Sequence, residues 1–276
     1  MTATATAARS ALTPSEIETY RRDGLVKPSR RLTEAQFAAL HDGMERLLRA
    51  RPEMTPDFLP LPHIPWADMA EAREIAKVFF DAATSPALLD LVEAVIGPDI
   101  VFWTSALFCK RAGVGARVPW HQDGEYWPIR PPATVTMWIA LDRVDRGNGA
   151  MQWVPGSHRL GYFKHKNVAN PKFALDNEID DPRFDPAQAR YNELEPGELS
   201  LHDVLLVHGS EPNTSSRRRA GITFRYMPSA SHFDRAMNVT NASSIVPVEF
   251  TQRPIWLVRG VDRCGKNDFT TGHWWE

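Results

Sequence analysis

The sequence predicts a mainly β protein: a jelly roll of two facing antiparallel sheets, buttressed by N-terminal helices. Three observations lead there. Residues 13 to 98 carry helix caps and helical apolar stripes. Residues from 99 onward break into short runs of alternating apolar and polar side chains. No strand–helix–strand alternation of the kind that builds a parallel sheet connects the two regions. A β-rich chain of 276 residues can form one domain. The expected organisation is a short disordered tail over 1–12, helical support over 13–98 and a jelly-roll core over 99–260.

The helices come first. Thr13, Pro14 and Glu16 supply an N-cap, a proline at the first helical position and a capping-box carboxylate, and Gly24 can end the helix. Thr33 and Gln36 repeat the box ahead of Phe37, Leu40, Met44, Leu47 and Leu48, a stripe at helical spacing. A third helix starts at Ser85-Pro86, carries Leu88, Leu89, Leu91, Val92, Val95 and Ile96, and stops at Gly97-Pro98. Strands follow. "DIVFWTSALFCK" is β-branched and aromatic. "TVTMWIALD" alternates, with Val135, Met137, Ile139 and Leu141 on one face and Thr134, Thr136, Trp138 and Ala140 on the other. "GAMQWVPGSH" runs into a Pro-Gly turn, and strands resume at "GELSLHDVLLVHGS" and "AGITFRYMP". Between them, residues 161 to 196 are polar and rich in Pro and Asp, which predicts a long surface excursion of the kind that carries function or a lid.

Composition narrows function by exclusion. A hydrophobic share of 43% and a charged share of 24% are those of an ordinary soluble globular protein. A net charge of −2 gives no electrostatic reason to expect nucleic acid or an anionic membrane as partner. Cys109 and Cys264 are too few for a disulfide framework or a four-cysteine zinc site, so a reducing compartment is expected. No stretch approaches eighteen apolar residues, and "MTATATAARSALTP" lacks the apolar segment of a secretory signal. The expected location is the cytoplasm.

The chemistry concentrates in "VPWHQDGEYWP", residues 118 to 128. A strand places alternate residues on one face, so His121 and Asp123 can converge on one ion while Gln122 points away. Alone, this pair reads equally as a structural contact, and His232-Phe233-Asp234 repeats the spacing. Context separates the two. His208 closes the apolar run Val204 to Val207 and can supply a third ligand; Arg219 follows it across the turn-like "GSEPNTSS". Two imidazoles and a carboxylate leave about three positions open on an octahedral metal, the arrangement of non-haem Fe(II) oxygenases. Arg219, Gly221, Thr223 and Arg225 share a strand face opposite Ile222, Phe224 and Tyr226, so a polar lumen with a guanidinium for a carboxylate is expected. No such arginine can follow Asp234, because the next histidine after it is His273.

The set His121-x-Asp123, His208 and Arg219, with "HQDGEYWPI", "WIALD", "NGAMQWVPGSHR" and "VHGSEPNTS", resembles the phytanoyl-CoA dioxygenase family of Fe(II)- and 2-oxoglutarate-dependent oxygenases. The likeness covers roughly residues 13 to 230. It implies a cupin-like double-stranded β-helix, with Fe(II) on His121, Asp123 and His208, and 2-oxoglutarate and O₂ as co-substrates. It assigns the far carboxylate of 2-oxoglutarate to Arg219, assisted by Thr136 and Ser210, with Trp138 lining that pocket. Trp127 falls where one branch of the family has a substrate-contacting aromatic, and Lys77 falls near a basic group of the co-substrate site. Asp123 favours hydroxylation, because related halogenases carry Gly or Ala there. Tyr126, Arg225 and Glu125 join Trp127 as expected walls of a pocket for a small polar metabolite or natural product.

Blander readings stand beside these. Arg217 and Arg218 read as a solvated turn, His158 and His202 as structural histidines, and Cys109 as a buried small hydrophobe. Trp274 and Trp275 are expected to pack onto the domain or a partner. Two rival functions remain open at this point: a non-catalytic jelly-roll binding protein, and a cupin-like metalloenzyme that uses O₂ without 2-oxoglutarate.

Overall fold

The computed structural model describes residues 11–50, 59–66, 71–168, 175–237 and 250–273. Four helices occupy the N-terminal third: α1 (Pro14–Asp23), α2 (Glu34–Ala50), α3 (Ala72–Ala83) and α4 (Pro86–Ile96). The strands are β1 (Leu25–Val26), β2 (Leu59–Pro60), β3 (Ile100–Lys110), β4 (Val118–His121), β5 (Ile129–Arg130), β6 (Val135–Ala140), β7 (Met151–Trp153) and β8 (His165–Asn167). They continue with β9 (Asn177–Ile179), β10 (Arg190–Asn192), β11 (Leu199–Asp203), β12 (His208–Ser210), β13 (Arg219–Pro228), β14 (His232–Phe233) and β15 (Trp256–Arg259). A major sheet runs β1-β11-β6-β13-β3-β15, with β2 also on β3; a minor sheet runs β10-β7-β12-β4. Every strand pair among the described residues is antiparallel, giving the jelly roll the alternation predicts.

The caps behave as their chemistry dictates. The Thr13 hydroxyl accepts from the Glu16 backbone N–H, Glu16 accepts in return from the Thr13 backbone N–H, and Gly24 ends α1 in the left-handed region at φ 84°. Thr33 and Gln36 make the same box ahead of α2. Helix α3 was not expected. It begins at Glu71 without a side-chain cap, so its only sequence signal is the buried stripe Ile75, Ala76, Phe79 and Ala83.

The helices lie on the outer face of the major sheet. Leu40, Met44, Phe79, Leu88 and Val92 form one core with Phe102, Met137, Ile139, Leu201, Ile222 and Phe224. Each large apolar side chain removed from water here contributes roughly 1.5–3 kcal/mol. The Tyr226 hydroxyl donates to the Ala83 carbonyl at 2.8 Å and ties β13 to the end of α3. Cys109 belongs to this core, as expected. Arg218 departs from expectation: its guanidinium bridges Asp142 (2.8 Å) and Glu45 of α2 (2.6 Å) rather than standing in solvent. Arg217 likewise pairs with Asp145 at 2.6 Å.

Parity leaves the opposite face to the lumen. Arg219, Thr223 and Arg225 of β13 and Thr136 and Trp138 of β6 line one cavity. A bulge on β3 modifies the count: Arg225 pairs with Thr104 but Tyr226 with Phe102, so Trp103 is the extra residue and both Trp103 and Thr104 line the cavity. The 161–196 segment is not a bare excursion. It forms the hairpin β8–β9, and β10 extends the minor sheet beside β7. Strands β1 and β2 add short edges from within the helical third. Trp274 and Trp275 and residues 1–10 lie outside the described residues. No helix among the described residues is long and apolar enough to cross a membrane.

Gly221 fixes the packing of the lumen. A Cβ there would stand 2.2 Å from Trp138 Cζ2 and 2.3 Å from Cη2, so only glycine lets the indole lie across β13. Gly221→Ala is expected to destabilise the fold by about 1–3 kcal/mol through this overpacking, and Gly221→Ala with Trp138→Phe to recover part of the loss. Thermal and denaturant unfolding of the single and double variants measures both.

Candidate metal centre and co-substrate pocket

Strand β4 delivers His121 and ends there. Gln122 remains extended (φ −121°, ψ 128°), and Asp123 opens a short 3₁₀ turn over Asp123–Glu125. The alternation that places His121 and Asp123 together therefore survives the strand end. Gln122 points the other way. Its amide donates to the Gly161 and Leu205 carbonyls (2.9 and 2.7 Å), and its carbonyl accepts from the Phe163 N–H at 2.7 Å. The Gly124 N–H adds a bond to the Val204 carbonyl at 2.9 Å, so the turn is anchored to the segment leading into β12.

His208 comes from β12, where it is the Cα partner of His121 across the ladder and of Trp153 on the other side. The register slips between His208 and Ser210, a bulge on the β4 side. Gly209 accommodates it, since a Cβ there would lie 3.0 Å from the Val118 carbonyl oxygen. The result brings three ligand atoms, from His121, Asp123 and His208, within 4.8 Å of one another, all buried. The two imidazoles have centroids 4.2 Å apart, and His121 Nε2 is 3.5 Å from Asp123 Oδ1.

Both rings are oriented by the same device. His121 Nδ1 faces the Pro119 carbonyl at 2.8 Å and His208 Nδ1 the Leu206 carbonyl at 2.9 Å. A carbonyl only accepts, so each Nδ1 donates to it and each Nε2 is left turned toward the centre. Burial and the neighbouring His121 push the His208 pKa down to about 3, so the ring is neutral, as a ligand must be. Burial alone would raise the Asp123 carboxyl; the His121 and His202 rings outweigh it and hold Asp123 well below the usual carboxylate range. This N₂O donor set fits a divalent first-row metal such as Fe(II) and leaves open positions facing the cavity.

Arg219 opens β13 directly across from Lys110 of β3. It is 3% exposed and its Cζ lies 5.6 Å from the Trp138 ring centroid. The Thr136 hydroxyl, expected to assist Arg219, stands instead across the ladder from Arg225, six residues along β13, buried in the cavity wall with no hydrogen-bond partner among the described residues. The Ser210 hydroxyl accepts from Lys110 Nζ at 2.8 Å, which leaves its own proton to give. A serine hydroxyl free to donate, held by Lys110 at the end of the lumen where the buried Arg219 guanidinium stands, is the environment a ligand carboxylate satisfies.

Trp127 and Tyr126 are buried at the far wall, where Trp127 meets Trp103 edge-on at 4.7 Å and the Arg225 guanidinium lies 5.0 Å from the Trp127 centroid. Glu125 is exposed and does not line the cavity. Lys77 stands apart: it is on the outer side, on α3, in an ion pair with Asp81 at 2.6 Å. The i, i+4 spacing of that pair on an exposed helix face is the reason. His158 bonds the Arg21 carbonyl, and His232 pairs with β5, away from the triad. Sequence reading missed Lys110 and Arg253, and took His202 for a structural histidine. His202 lines the cavity, with Nε2 3.9 Å from Asp123 Oδ2. The alternation of "LSLHD" carries that signal: Leu199 and Leu201 face the helices, so Ser200 and His202 face inward.

A jelly roll whose lumen brings two histidines and one carboxylate together beside a buried arginine is the architecture of non-haem metal oxygenases. The chain belongs to the phytanoyl-CoA dioxygenase (PhyH) family, whose profile matches residues 20–221. It is 33% identical over 159 residues to a probable alpha-ketoglutarate-dependent hypophosphite dioxygenase of Stutzerimonas stutzeri, covering 55% of each chain. It is 30% identical over 167 residues to the peroxisomal phytanoyl-CoA dioxygenase of Homo sapiens, covering 57% of this chain and 48% of that one. These alignments span about half the length of the curated relatives. The solved structure of the non-heme monooxygenase ThoJ superposes with a TM-score of 0.67 at 25% identity, over 91% of this chain and 86% of that one.

Asp123→Ala is expected to abolish stoichiometric Fe(II) or Mn(II) binding in anaerobic calorimetry. Gln122→Ala should lower metal affinity and melting temperature together, because it removes three buried hydrogen bonds worth about 1 kcal/mol each.

Proposed function

We propose that this protein is an Fe(II)- and 2-oxoglutarate-dependent dioxygenase that hydroxylates an unactivated C–H bond of a small metabolite or natural product. The observation that carries the proposal is the co-location, in one cavity, of the His121–Asp123–His208 group with the buried Arg219. The rival without 2-oxoglutarate gives no reason for a buried guanidinium at that wall.

Fe(II) and 2-oxoglutarate, when bound, supply the activation of O₂ and the oxidising power, with succinate and CO₂ as co-products. The chain supplies position and exclusion. His121, Asp123 and His208 hold the metal on one side and leave the other open to the cavity. Arg219 would bind the far carboxylate of 2-oxoglutarate with Ser210 donating to it, and Trp138 would line that pocket; the resemblance gives Thr136 the same task, but its place across the ladder from Arg225 sets it at the substrate wall. Asp123 keeps a carboxylate at the coordination position, which favours hydroxylation over halide transfer. Trp127, Tyr126 and Arg225 form the wall against which the primary substrate is oriented. The aromatic lining excludes water from the centre, strengthening each charged contact inside it. Both cysteines are free, which supports a reducing compartment such as the cytoplasm.

Anaerobic addition of Fe(II) and 2-oxoglutarate is expected to give a visible charge-transfer band. Its absence in a folded, metal-loaded protein would refute the reading. Arg219→Ala should raise the 2-oxoglutarate concentration needed for half of that band by about two orders of magnitude, since it leaves a carboxylate unpaired. Its Fe(II) affinity should stay within about threefold of the original, which separates loss of the anchor from loss of the fold.

A further inference from the structure

The cavity holds more positive charge than the proposed chemistry consumes. Arg219, Arg225 and Arg253 all line it, and the only carboxylate among its described lining residues is Asp123. With Fe(II) and 2-oxoglutarate bound, the metal and Arg219 are balanced by Asp123 and the two carboxylates of the co-substrate. The Arg225 guanidinium is left over. The one carboxylate whose charge acts on it is Asp123, which the metal would engage.

Arg225 is also built into place. Its Cζ lies 5.0 Å from the Trp127 ring centroid and 5.9 Å from that of Phe108, so two aromatic faces hold the guanidinium plane. Its Nε is buried without a hydrogen-bond partner among the described residues. Its ladder partners are Thr136 on β6 and Thr104 on β3, and the Thr104 hydroxyl accepts from Arg253 Nη1 at 2.7 Å. Arg253, 5% exposed, thereby adds a second positive charge to the same wall. Trp103, the bulged residue beside Thr104, lines the cavity with its indole N–H buried and without an acceptor. A buried wall with two donors unsatisfied among the described residues, around an Arg225 guanidinium whose cavity offers it no described carboxylate but Asp123, is stabilised by an anion, and by no neutral group to the same degree.

Resting on the oxygenase reading above, we infer that the primary substrate is an organic acid. Its carboxylate or phosphonate group sits against Arg225 and the Trp103 indole N–H, and its apolar body packs on Trp103 and Trp127. Arg225 is therefore a second anion receiver, distinct from the Arg219 wall, and it selects the substrate.

The test is anaerobic calorimetry on the full chain with Fe(II) and saturating 2-oxoglutarate, titrated with benzoate, phenylphosphonate or neutral benzyl alcohol. At least one acid is expected to bind about tenfold or more tighter than the alcohol. Arg225→Gln should erase that preference while leaving 2-oxoglutarate affinity unchanged. Arg225→Lys, which keeps the charge, should retain part of it and guards against a variant that fails to fold. Acids bound no more tightly than the alcohol would overturn the inference. So would an unchanged preference in Arg225→Gln, or a loss of 2-oxoglutarate affinity instead. Failure of the oxygenase reading shows separately, as the missing charge-transfer band of the wild-type protein.

Discussion

The ladder contact between His208 and His121 is the constraint on which the site depends. The two residues stand opposite one another in adjacent antiparallel strands of the minor sheet, and a one-residue slip would turn either imidazole to the wrong face. Several features hold that register. Gly209 admits the bulge of β4, Gln122 ties the strand end to two carbonyls and one N–H, and the Gly124 N–H bonds the Val204 carbonyl. The apolar run Val204 to Val207 therefore does two things: it packs into the fold, and it carries the carbonyls that fix both the Asp123 turn and the His208 ring. Ring orientation is settled by backbone acceptors two residues upstream, so the ligand geometry is a property of the strands themselves.

The second organising feature is the division of the major sheet into two faces. Along β13, Ile222, Phe224 and Tyr226 join the helices in one apolar core, and Arg219, Thr223 and Arg225 face the lumen. The helices matter to function indirectly. They cover the outer face, so the sheet is stabilised by apolar burial on one side and can carry costly buried charges on the other. Arg218 shows the boundary between the two regimes. One residue before Arg219, with the opposite parity, it bridges α2 to Asp142 instead of entering the cavity.

What the sequence made legible follows from the range of the interactions. Strand parity is local, so the faces of β6 and β13 and the inward set Thr136, Trp138, Arg219 and Arg225 could be read directly. Boundary signals are local too: capping boxes mark α1 and α2, and Ser85-Pro86 and Gly97-Pro98 bracket α4, whereas α3 has neither a capping box, an N-terminal proline nor a C-terminal glycine and was missed. Lys110 could not be read in this way. Its place beside Ser210 depends on β3 and β12, a hundred residues apart, arriving at the same end of the lumen. The bulge at Trp103 is also invisible to a strict alternation, and it is the reason Thr104 faces inward. Lys77 was drawn to the co-substrate by resemblance alone, without a strand or a register to support it, and it stands on an exposed helix face.

Buried charge is expensive, and the lumen carries it in an uneven pattern. Lys110 and Arg219 are ladder partners, two cations side by side at one end of the cavity, both nearly inaccessible to water. Lys110 donates to the Ser210 hydroxyl and the Glu211 carbonyl. Like charges held this close in a medium of low dielectric repel, and the repulsion falls when an anion comes between them or beside them. That sign is what a co-substrate pocket requires: two cations held side by side favour an anion over a neutral molecule of the same shape.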